Sequence, residues 1–404
     1  MPELVAPPLS LYVHLPWCVR KCPYCDFNSH VHKGALPEDA YVDALLRDLE
    51  RDLAAHLAGD ERVVGTVFLG GGTPSLFRPE SLARLFAGVR ARVPLAADAE
   101  ITMEANPGTV EHGRFDGYRD AGINRVSLGA QSFGAAQLAV LGRIHAAEDT
   151  ERAVGELRGA GLVEFNLDLM YALPSQDVAG ALADLERALA LGPTHLSHYQ
   201  LTLEPGTVYY HRPPALPDED AALDMQLAAQ ARLVAAGFRQ YEVSAWARPG
   251  HECRHNLNYW HYGDYLGIGA GAHGKLTDAR GGRILRTAKT KQPREYLDLT
   301  ANGALAGTVE SIPPAERPFE FMLNALRLVD GFRIAEFEAR TGLSAAAVVP
   351  TLERLASRGL LEASPGAWRP TTLGLRFLND LQAAFLPGEL GGGTPARAPR
   401  SMGA

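Results

Sequence analysis

Apolar and polar positions switch between two periods along this chain. Residues 37–57 (PEDAYVDALLRDLERDLAAHL) carry apolar side chains at three- and four-residue steps, open with Pro37 and hold acids in the first turn, which predicts a helix. Short apolar runs predict strands at 10–14, 63–70, 99–104, 123–130, 162–169 and 195–203. Helical patterns follow at 79–91, 110–121, 134–141, 146–160, 177–191 and 218–236. Six strand–helix units in strict alternation imply a parallel sheet with right-handed crossovers. Six is fewer than the eight of a closed barrel. The expected fold class is α/β, a partial (β/α)6 TIM-like barrel over residues 1–240.

Periodicity fades over 241–312, which is rich in aromatics, glycine and histidine in its first half and reads as a connecting segment. Over 313–386 a helix stopped by Gly331 is followed by RIAEFEARTG and SAAAVVPTLERLASRG. The latter is bounded by Ser344 as N-cap and Gly359 as C′. A hairpin around Pro365-Gly366 and a helix at 372–384 complete a C-terminal winged-helix-like α+β domain. Its would-be recognition helix offers only Arg354 and Arg358 as cations and is interrupted by Pro350, so a DNA-binding role is poorly supported. Residues 387–404 are low-complexity and read as a disordered tail.

Composition narrows the function classes. The chain has 404 residues, enough for two to three domains, and 46% hydrophobic residues. Net charge is −8, which argues against a nucleic-acid partner. The N-terminus MPELVAPPLS does not resemble a secretory signal, and no apolar run reaches membrane length. Four cysteines, three of them clustered, are not a disulfide framework. The expected compartment is cytoplasmic.

The candidate chemistry sits in LYVHLPWCVRKCPYCDFNSH, residues 11–30, where Cys18, Cys22 and Cys25 form a C-x3-C-x2-C run. Three thiolates on one tight loop can grip a metal cluster and leave one site open. Zinc held by the three cysteines and one of His14, His30 or His32 is the plainer alternative. The triplet within eight residues, the aromatic Tyr24 inside it and the preceding strand favour a [4Fe–4S] cluster with one free iron. Other polar or glycine positions fall at strand ends: Gly70-Gly71-Gly72-Thr73-Pro74, Glu104, Gln131, Asp168 and Thr202, with Arg143 beyond one of them. Parallel α/β folds place their sites at that edge. The glycines let backbone approach a ligand closely, the acid can face an ammonium or ribose hydroxyls, and Arg143 can clamp a carboxylate.

The cysteine run with the glycine run resembles the radical S-adenosylmethionine (SAM) superfamily. The resemblance implies a partial barrel and a cluster whose fourth iron is chelated by SAM, which can be cleaved to methionine and a 5′-deoxyadenosyl radical. YVHLPWC, GGGTPS, EANP, LGAQSF, DLMYALPSQ and LSHYQLTLEPGT are similar, in order and spacing, to the branch of oxygen-independent coproporphyrinogen III oxidases and HemW heme chaperones. That implies SAM contacts at Tyr12, Tyr24, Gly70, Gly71, Gly72, Glu104, Gln131, Arg143 and Asp168; Thr73 and Thr202 join the same set.

Two stretches separate the members of that branch. The oxidases carry a fourth cysteine two residues after the third, and here that position is Phe27, which cannot ligate or carry a proton. Within 254–274, His255-Asn256-x-x-Tyr259-Trp260 resembles the H-N-x-x-Y-W motif of the chaperones, which implies His255 as ligand to heme iron, with Tyr259 and Trp260 beside it. Cys253 is a rival ligand, and His251, His261 and His273 lie close in sequence. The implied function is binding heme and handing it to acceptor hemoproteins. Oxidative decarboxylation of a porphyrinogen is the alternative that Phe27 disfavours. A homodimer and peripheral contact with membrane-bound respiratory hemoproteins are compatible with the resemblance.

Overall fold

The computed structural model describes residues 2–109 and 114–388. Residues 389–404 of the tail expected to be disordered and the first turn of the helix expected at 110–121 lie outside the described residues.

The six expected strands form: β1 (Leu9–Leu15), β2 (Val64–Gly71), β3 (Leu95–Ala105), β4 (Arg125–Gln131), β5 (Phe165–Tyr171) and β6 (His195–Gln200). They are joined in sequence order by parallel pairings. The crossovers carry α1 (Glu38–His56), α2 (Pro79–Arg90), α3 (Arg114–Ala121), α4 (Ala135–Val140), α5 (Ala147–Gly159) and α6 (Val178–Ala190). Helix α7 (Glu219–Ala235), with Asp218 capping the amide of Ala221, packs beside α6.

Each barrel strand alternates with period two. Leu9, Leu11, Val13 and Leu15 of β1, with Val67, Leu69, Ile101, Met103, Val126, Leu128, Leu167 and Leu196, belong to one large core with Leu45, Leu49, Leu82, Leu85 and Leu157 of the helices. Each such side chain contributes about 1.5–3 kcal/mol when fully buried. The other face is polar: Ser10 bonds Thr66, Arg125 faces Glu100, Asn166 bonds Ser127, and Tyr199 bonds Gln131. The apolar face therefore looks out to the helices and the polar face looks into the barrel.

The stretch 241–312 is the largest departure from the sequence pattern. It supplies five strands, and with the two-residue strand β7 (Arg239–Gln240) the sheet has 12 strands among the described residues. They are β8 (Ala245–Ala247), β9 (Asp264–Ile268), β10 (His273–Asp278), β11 (Arg283–Lys289) and β12 (Gly307–Ser311). Strand β9 pairs parallel to β1 and becomes a seventh parallel strand, while β8 pairs antiparallel to β6 at the other side. Glycines 267, 269, 271 and 274 hid this pairing, because a Cβ at Gly267 would lie 1.8 Å from the His273 carbonyl. Buried ion pairs replace apolar contacts here. Lys289 bonds Asp48 and Asp52 of α1, and Lys275 bonds Asp264 at 2.8 Å.

Helix α8 (Pro293–Ala301) packs on α1, and the C-terminal helices α9 (Arg317–Ala325), α10 (Ile334–Thr341) and α11 (Val349–Ser357) share a second core with the hairpin Leu361–Ser364 and Ala367–Pro370, which includes Tyr262 and Ile284 from the sheet side. Pro350 does not interrupt a helix. Ser344 caps a separate 3-10 turn at Ala345–Ala347, and Pro350 lies in the first turn of α11, where its missing N–H costs nothing. The helix expected at 372–384 is two pieces, Thr372–Arg376 and Leu378–Ala383, broken at Phe377. Among the described residues no helix is long and apolar enough to cross a membrane.

Candidate cluster and cofactor site

The cysteine loop leaves β1 at its carboxyl end. Trp17 and Cys18 pair with His30 and Val31, which closes the loop at its base. The amides of Gly72 and Thr73 donate to the carbonyls of Leu15 and Trp17, at 2.9 and 2.8 Å, so the end of β2 is stitched to the start of the loop. A Cβ at Gly72 would sit 2.5 Å from the Trp17 carbonyl, and only glycine permits that approach. Lys21 holds the loop from outside through the carbonyls of Phe27 and Ser29.

All four cysteines are free thiols; Cys18, Cys22 and Cys25 are partly exposed and Cys253 is buried. Each loop thiol has its own polar neighbour. Thr73 donates to Cys18 at 3.4 Å, Arg143 reaches Cys22 at 3.7 Å, and Ser29 lies 3.8 Å from Cys25. Burial pushes the Cys18 and Cys25 thiols up, so they shed protons only as a metal takes them. Among the described residues no three His, Cys, Asp or Glu side chains converge where a single metal ion would sit. The three histidines of the zinc alternative are occupied elsewhere: His14 Nε2 on the Asn28 carbonyl, His30 Nε2 on Asn28 and Lys291, His32 Nε2 on the Ala35 carbonyl. Separate thiols with no fourth ligand fit a cluster that gives each sulfur its own iron, and do not fit tetrahedral zinc.

Behind the loop the strand ends bring Glu104, Gln131, Asp168, Tyr12 and Arg143 together. Glu104 accepts from the Gly71 amide at 3.1 Å, yet burial and the nearby Asp168 push its carboxyl up to about 8. Burial also raises Asp168, against donors from Ser127 and Asn166 at 3.0 and 2.7 Å. Arg143 donates one Nη to the Gly129 carbonyl at 2.7 Å, while its buried Nε has no partner. One carboxyl raised to about 8, a second raised by burial and an orphan guanidinium donor suit a zwitterion with an added positive centre: cations for the acids, a carboxylate for the arginine. Tyr24 packs between Leu141, Met170 and Tyr209 beside Cys22 and Arg143. Gln131 adopts a φ of 67° and accepts from Tyr199 at 2.7 Å. Thr202 lies beyond the end of β6 and is exposed.

The H-N-x-x-Y-W stretch forms a short helix, Arg254–Trp260, at the other end of the barrel. Its contacts are to the amino-terminal ends of β1, β2 and β3. Glu100 accepts from the amides of Arg254 and His255, Asn258 donates to Ser10, and His255 Nδ1 lies 2.7 Å from Thr66 Oγ1. Ser10 and Leu15 are separated by five residues of β1, about 17 Å at about 3.3 Å per residue. His255 is 1% exposed, its Nε2 lies 3.0 Å from the Tyr259 hydroxyl, and its ring stacks on Phe68. Burial lowers its pKa to about 3. Cys253 is buried, bonds Glu100 at 3.4 Å and is pushed up to about 12. Trp260 carries the Arg327 guanidinium 4.4 Å from its ring centre, and its own buried Nε1 has no partner.

The Radical SAM superfamily model matches residues 12–187, and the HemN C-terminal domain model matches residues 312–377. "Heme chaperone HemW" of Escherichia coli is 51% identical over 380 residues, 94% of this chain and 98% of the relative. "Heme chaperone HemW" of Haemophilus influenzae is 47% identical, covering 96% of this chain and 100% of the relative. This chain belongs to the HemW family of radical SAM proteins. The mouse protein "Radical S-adenosyl methionine domain-containing protein 1, mitochondrial" is 37% identical over 96% of this chain and 89% of its own length. The solved coproporphyrinogen III oxidase (HemN) from Escherichia coli superposes with a TM-score of 0.79 at 24% identity, covering 94% of this chain and 90% of the oxidase chain, a likeness of fold.

Within this HemW-family chain the sequence motifs divide into two groups. Tyr12, Tyr24, Gly70, Gly71, Gly72, Thr73, Glu104, Gln131, Arg143 and Asp168 gather near the cysteine loop. His255, Tyr259 and Trp260 do not; they form the floor of the barrel. Sequence reasoning named His14, whose Nδ1 lies 3.0 Å from the Tyr12 hydroxyl, only as an alternative zinc ligand, and missed Asn28, whose side-chain amide donates to Ala270 and Lys291 at 2.9 Å each. The alternation Ser10-Tyr12-His14 in β1 was the available signal for an inward polar row.

Proposed function

We propose that this protein is a heme carrier that takes up heme and passes it to acceptor hemoproteins. It would hold a [4Fe–4S] cluster at Cys18, Cys22 and Cys25, with SAM on the open iron. The observation that carries this reading is Phe27, in a chain related over its length to proteins named heme chaperone HemW. The Phe27 side chain is 45% exposed at the position where the oxidases resembled here carry a further cysteine.

When bound, the cluster supplies one-electron chemistry toward the sulfonium of SAM. The residues of this chain bind and orient. Arg143 would take the carboxylate of the amino-acid moiety, since its orphan Nε is a donor awaiting an acceptor. Glu104 and Asp168 would face the cationic and hydroxyl groups, and each gains charge stabilisation that the free site lacks. Tyr24, wedged among apolar side chains, would exclude water from the Cys22 side. Both nitrogens of His255 are engaged and the residue is 1% exposed, so heme ligation by this motif histidine would require the Arg254–Trp260 helix to move.

Anaerobic reconstitution with iron and sulfide tests the site. Wild type is expected to gain iron, labile sulfide and a broad visible absorbance that Cys22→Ser loses. Added hemin is expected to give a protein-bound Soret band that fades on addition of an apo-hemoprotein. Conversion of coproporphyrinogen to protoporphyrinogen at catalytic turnover would overturn the carrier reading.

A further inference from the structure

Residues 251–261 close the floor of the barrel, and little apolar surface holds them there. None of them belongs to either large hydrophobic core; Leu257 packs on a small group of Tyr241, Ala245 and Ala247. Cys253 and His255 are the only buried residues of the segment. Polar bonds fasten it instead. Glu100 accepts from the amides of Arg254 and His255, Thr66 meets His255, Asn258 donates to Ser10, and Arg125 donates to the His251 carbonyl at 2.9 Å. Water can replace each of these partners, so the segment sits at the low end of local stability. Its two ends differ. It starts at the exposed turn Arg248-Pro249-Gly250, where Gly250 has a φ of +85° and a Cβ would meet nothing within 4 Å, so this turn is free to swing. It ends at Tyr262, whose ring is built into the second core.

We infer that residues 251–261 are a lid over the amino-terminal mouth of the barrel, latched shut by the C-terminal domain. Helix α9 packs on the lid helix. Arg327, just beyond α9, places its guanidinium 4.4 Å from the Trp260 ring centre and is itself held by Glu242 at 2.9 Å. His261 Nδ1 lies 2.8 Å from Glu336 Oε1 of α10; the two side chains are 43% and 20% exposed, so water competes for this pair. Movement of the C-terminal domain away from the floor releases both contacts together. The opened lid bares Cys253, His255 and the inner polar row that starts at Ser10 and Thr66. Phe68 stacks on His255 at 5.1 Å and on Tyr12 at 6.4 Å, so the interior beneath the lid runs on toward the cysteine loop. The lid stands on this geometry alone. Its role as a gate rests on the carrier reading, under which the latch decides when a ligand meets His255.

Cys253 reports the lid directly. The test is maleimide labelling of the full metal-free chain, read at the Cys253 peptide by mass spectrometry. It compares wild type with His261→Ala, Arg327→Lys, the double variant, and Arg369→Ala, which removes an exposed ion pair to Glu362 in the hairpin. Lysine at 327 keeps a charge beside the buried Glu242 while losing the planar stack on Trp260, so the fold is preserved. Cys253 is expected to stay protected in wild type and Arg369→Ala. It is expected to label several-fold faster in each latch variant and about tenfold faster in the double variant. The gain should appear without urea and depend weakly on it, the mark of local opening. Hemin should then bind the double variant faster than wild type and give the same final spectrum. Unchanged Cys253 labelling in the double variant overturns the lid, as does a gain with the full urea dependence of unfolding. A faster-labelling double variant with the wild-type hemin on-rate overturns the gate. If Cys253 labels as expected and no protein gives a bound Soret band, the carrier reading fails and takes the gate with it, while the lid stands.

Discussion

His255 Nδ1 and Thr66 Oγ1 meet at 2.7 Å inside the amino-terminal rim of the barrel, so the imidazole fastens the floor helix to the sheet. The bond belongs to a chain that runs Asn258, Ser10, Thr66, His255, Tyr259. Removing the ring would take the Tyr259 hydroxyl's bond and one of the two that Thr66 makes, and would open a cavity against Phe68. His255→Ala is therefore expected to lower the free energy of unfolding by about 2–4 kcal/mol. Urea melts at pH 7 measure this, and a loss below about 0.5 kcal/mol, the size of a plain surface substitution, would show that the floor is held by other contacts.

Acid should loosen the same interior. Burial lowers His255 to about 3 and His14, His145 and His198 to about 4. Below the ordinary value near 6.5 the unfolded chain takes up protons that these four rings refuse, so stability rises with pH in this window and is lost as pH falls from about 6.5 toward 4. The expected observation is a thermal midpoint of the metal-free protein that drops steadily across that range. A flat or rising midpoint would mean that the raised carboxyls, Glu104 at about 8 and Asp52 at about 6, outweigh these rings.

Glu104 works in the opposite direction. Its carboxyl is raised to about 8, so the folded protein keeps a proton that the unfolded chain releases near 4.5, and stability falls as pH rises from about 4.5 to 8. Glu104→Gln should remove that slope and raise stability at pH 8. Under the proposed role, SAM draws the proton off. Calorimetry in buffers of differing ionisation enthalpy should then show about one proton released on binding near pH 7, and an affinity that climbs toward pH 8. No proton release would place the positive groups of the ligand away from Glu104.

The cysteines differ in environment as much as in spacing. Cys253 is buried among Glu100, Arg125 and Tyr241 and raised to about 12, whereas the three loop thiols are partly exposed. A thiol reagent should modify Cys18, Cys22 and Cys25 of the metal-free native protein and reach Cys253 only after unfolding. A fourth equivalent consumed before unfolding would show that the floor helix opens.

The six strand–helix units and the cysteine loop were legible because each element buries its own apolar face and announces its period locally. Residues 241–312 were not, since β9 to β12 pair through glycines and buried ion pairs such as Lys289–Asp48, which carry no hydrophobic alternation. The gathering of Glu104, Asp168 and Arg143 followed from their positions near the ends of parallel strands. The placement of His255 did not follow from its motif. H-N-x-x-Y-W fixes a helix with histidine and tyrosine four residues apart, and only Thr66 and Glu100, distant in sequence, decide that this face turns inward.

Asn28 offers the sharpest test of how the cysteine loop is held. Its side-chain Nδ2 donates to the carbonyls of Ala270 and Lys291, so one side chain ties the loop to the glycine-rich turn after β9, while its backbone carbonyl lies 2.9 Å from His14 Nε2 of β1. Gly271 lies against it with a φ of +85°, and a Cβ there would stand 2.2 Å from Asn28 Nδ2. Gly271→Ala combines backbone strain with that clash and should push the loop outward, while Asn28→Ala removes the tie without strain. Both variants should fold, since the core behind β1 is untouched, and both should lose a reconstituted cluster to a chelator faster than wild type. Gly271→Ala is expected to be the more affected of the two. Equal chelation half-lives in all three proteins would show that the pairing of Trp17 and Cys18 with His30 and Val31 is sufficient to hold the loop.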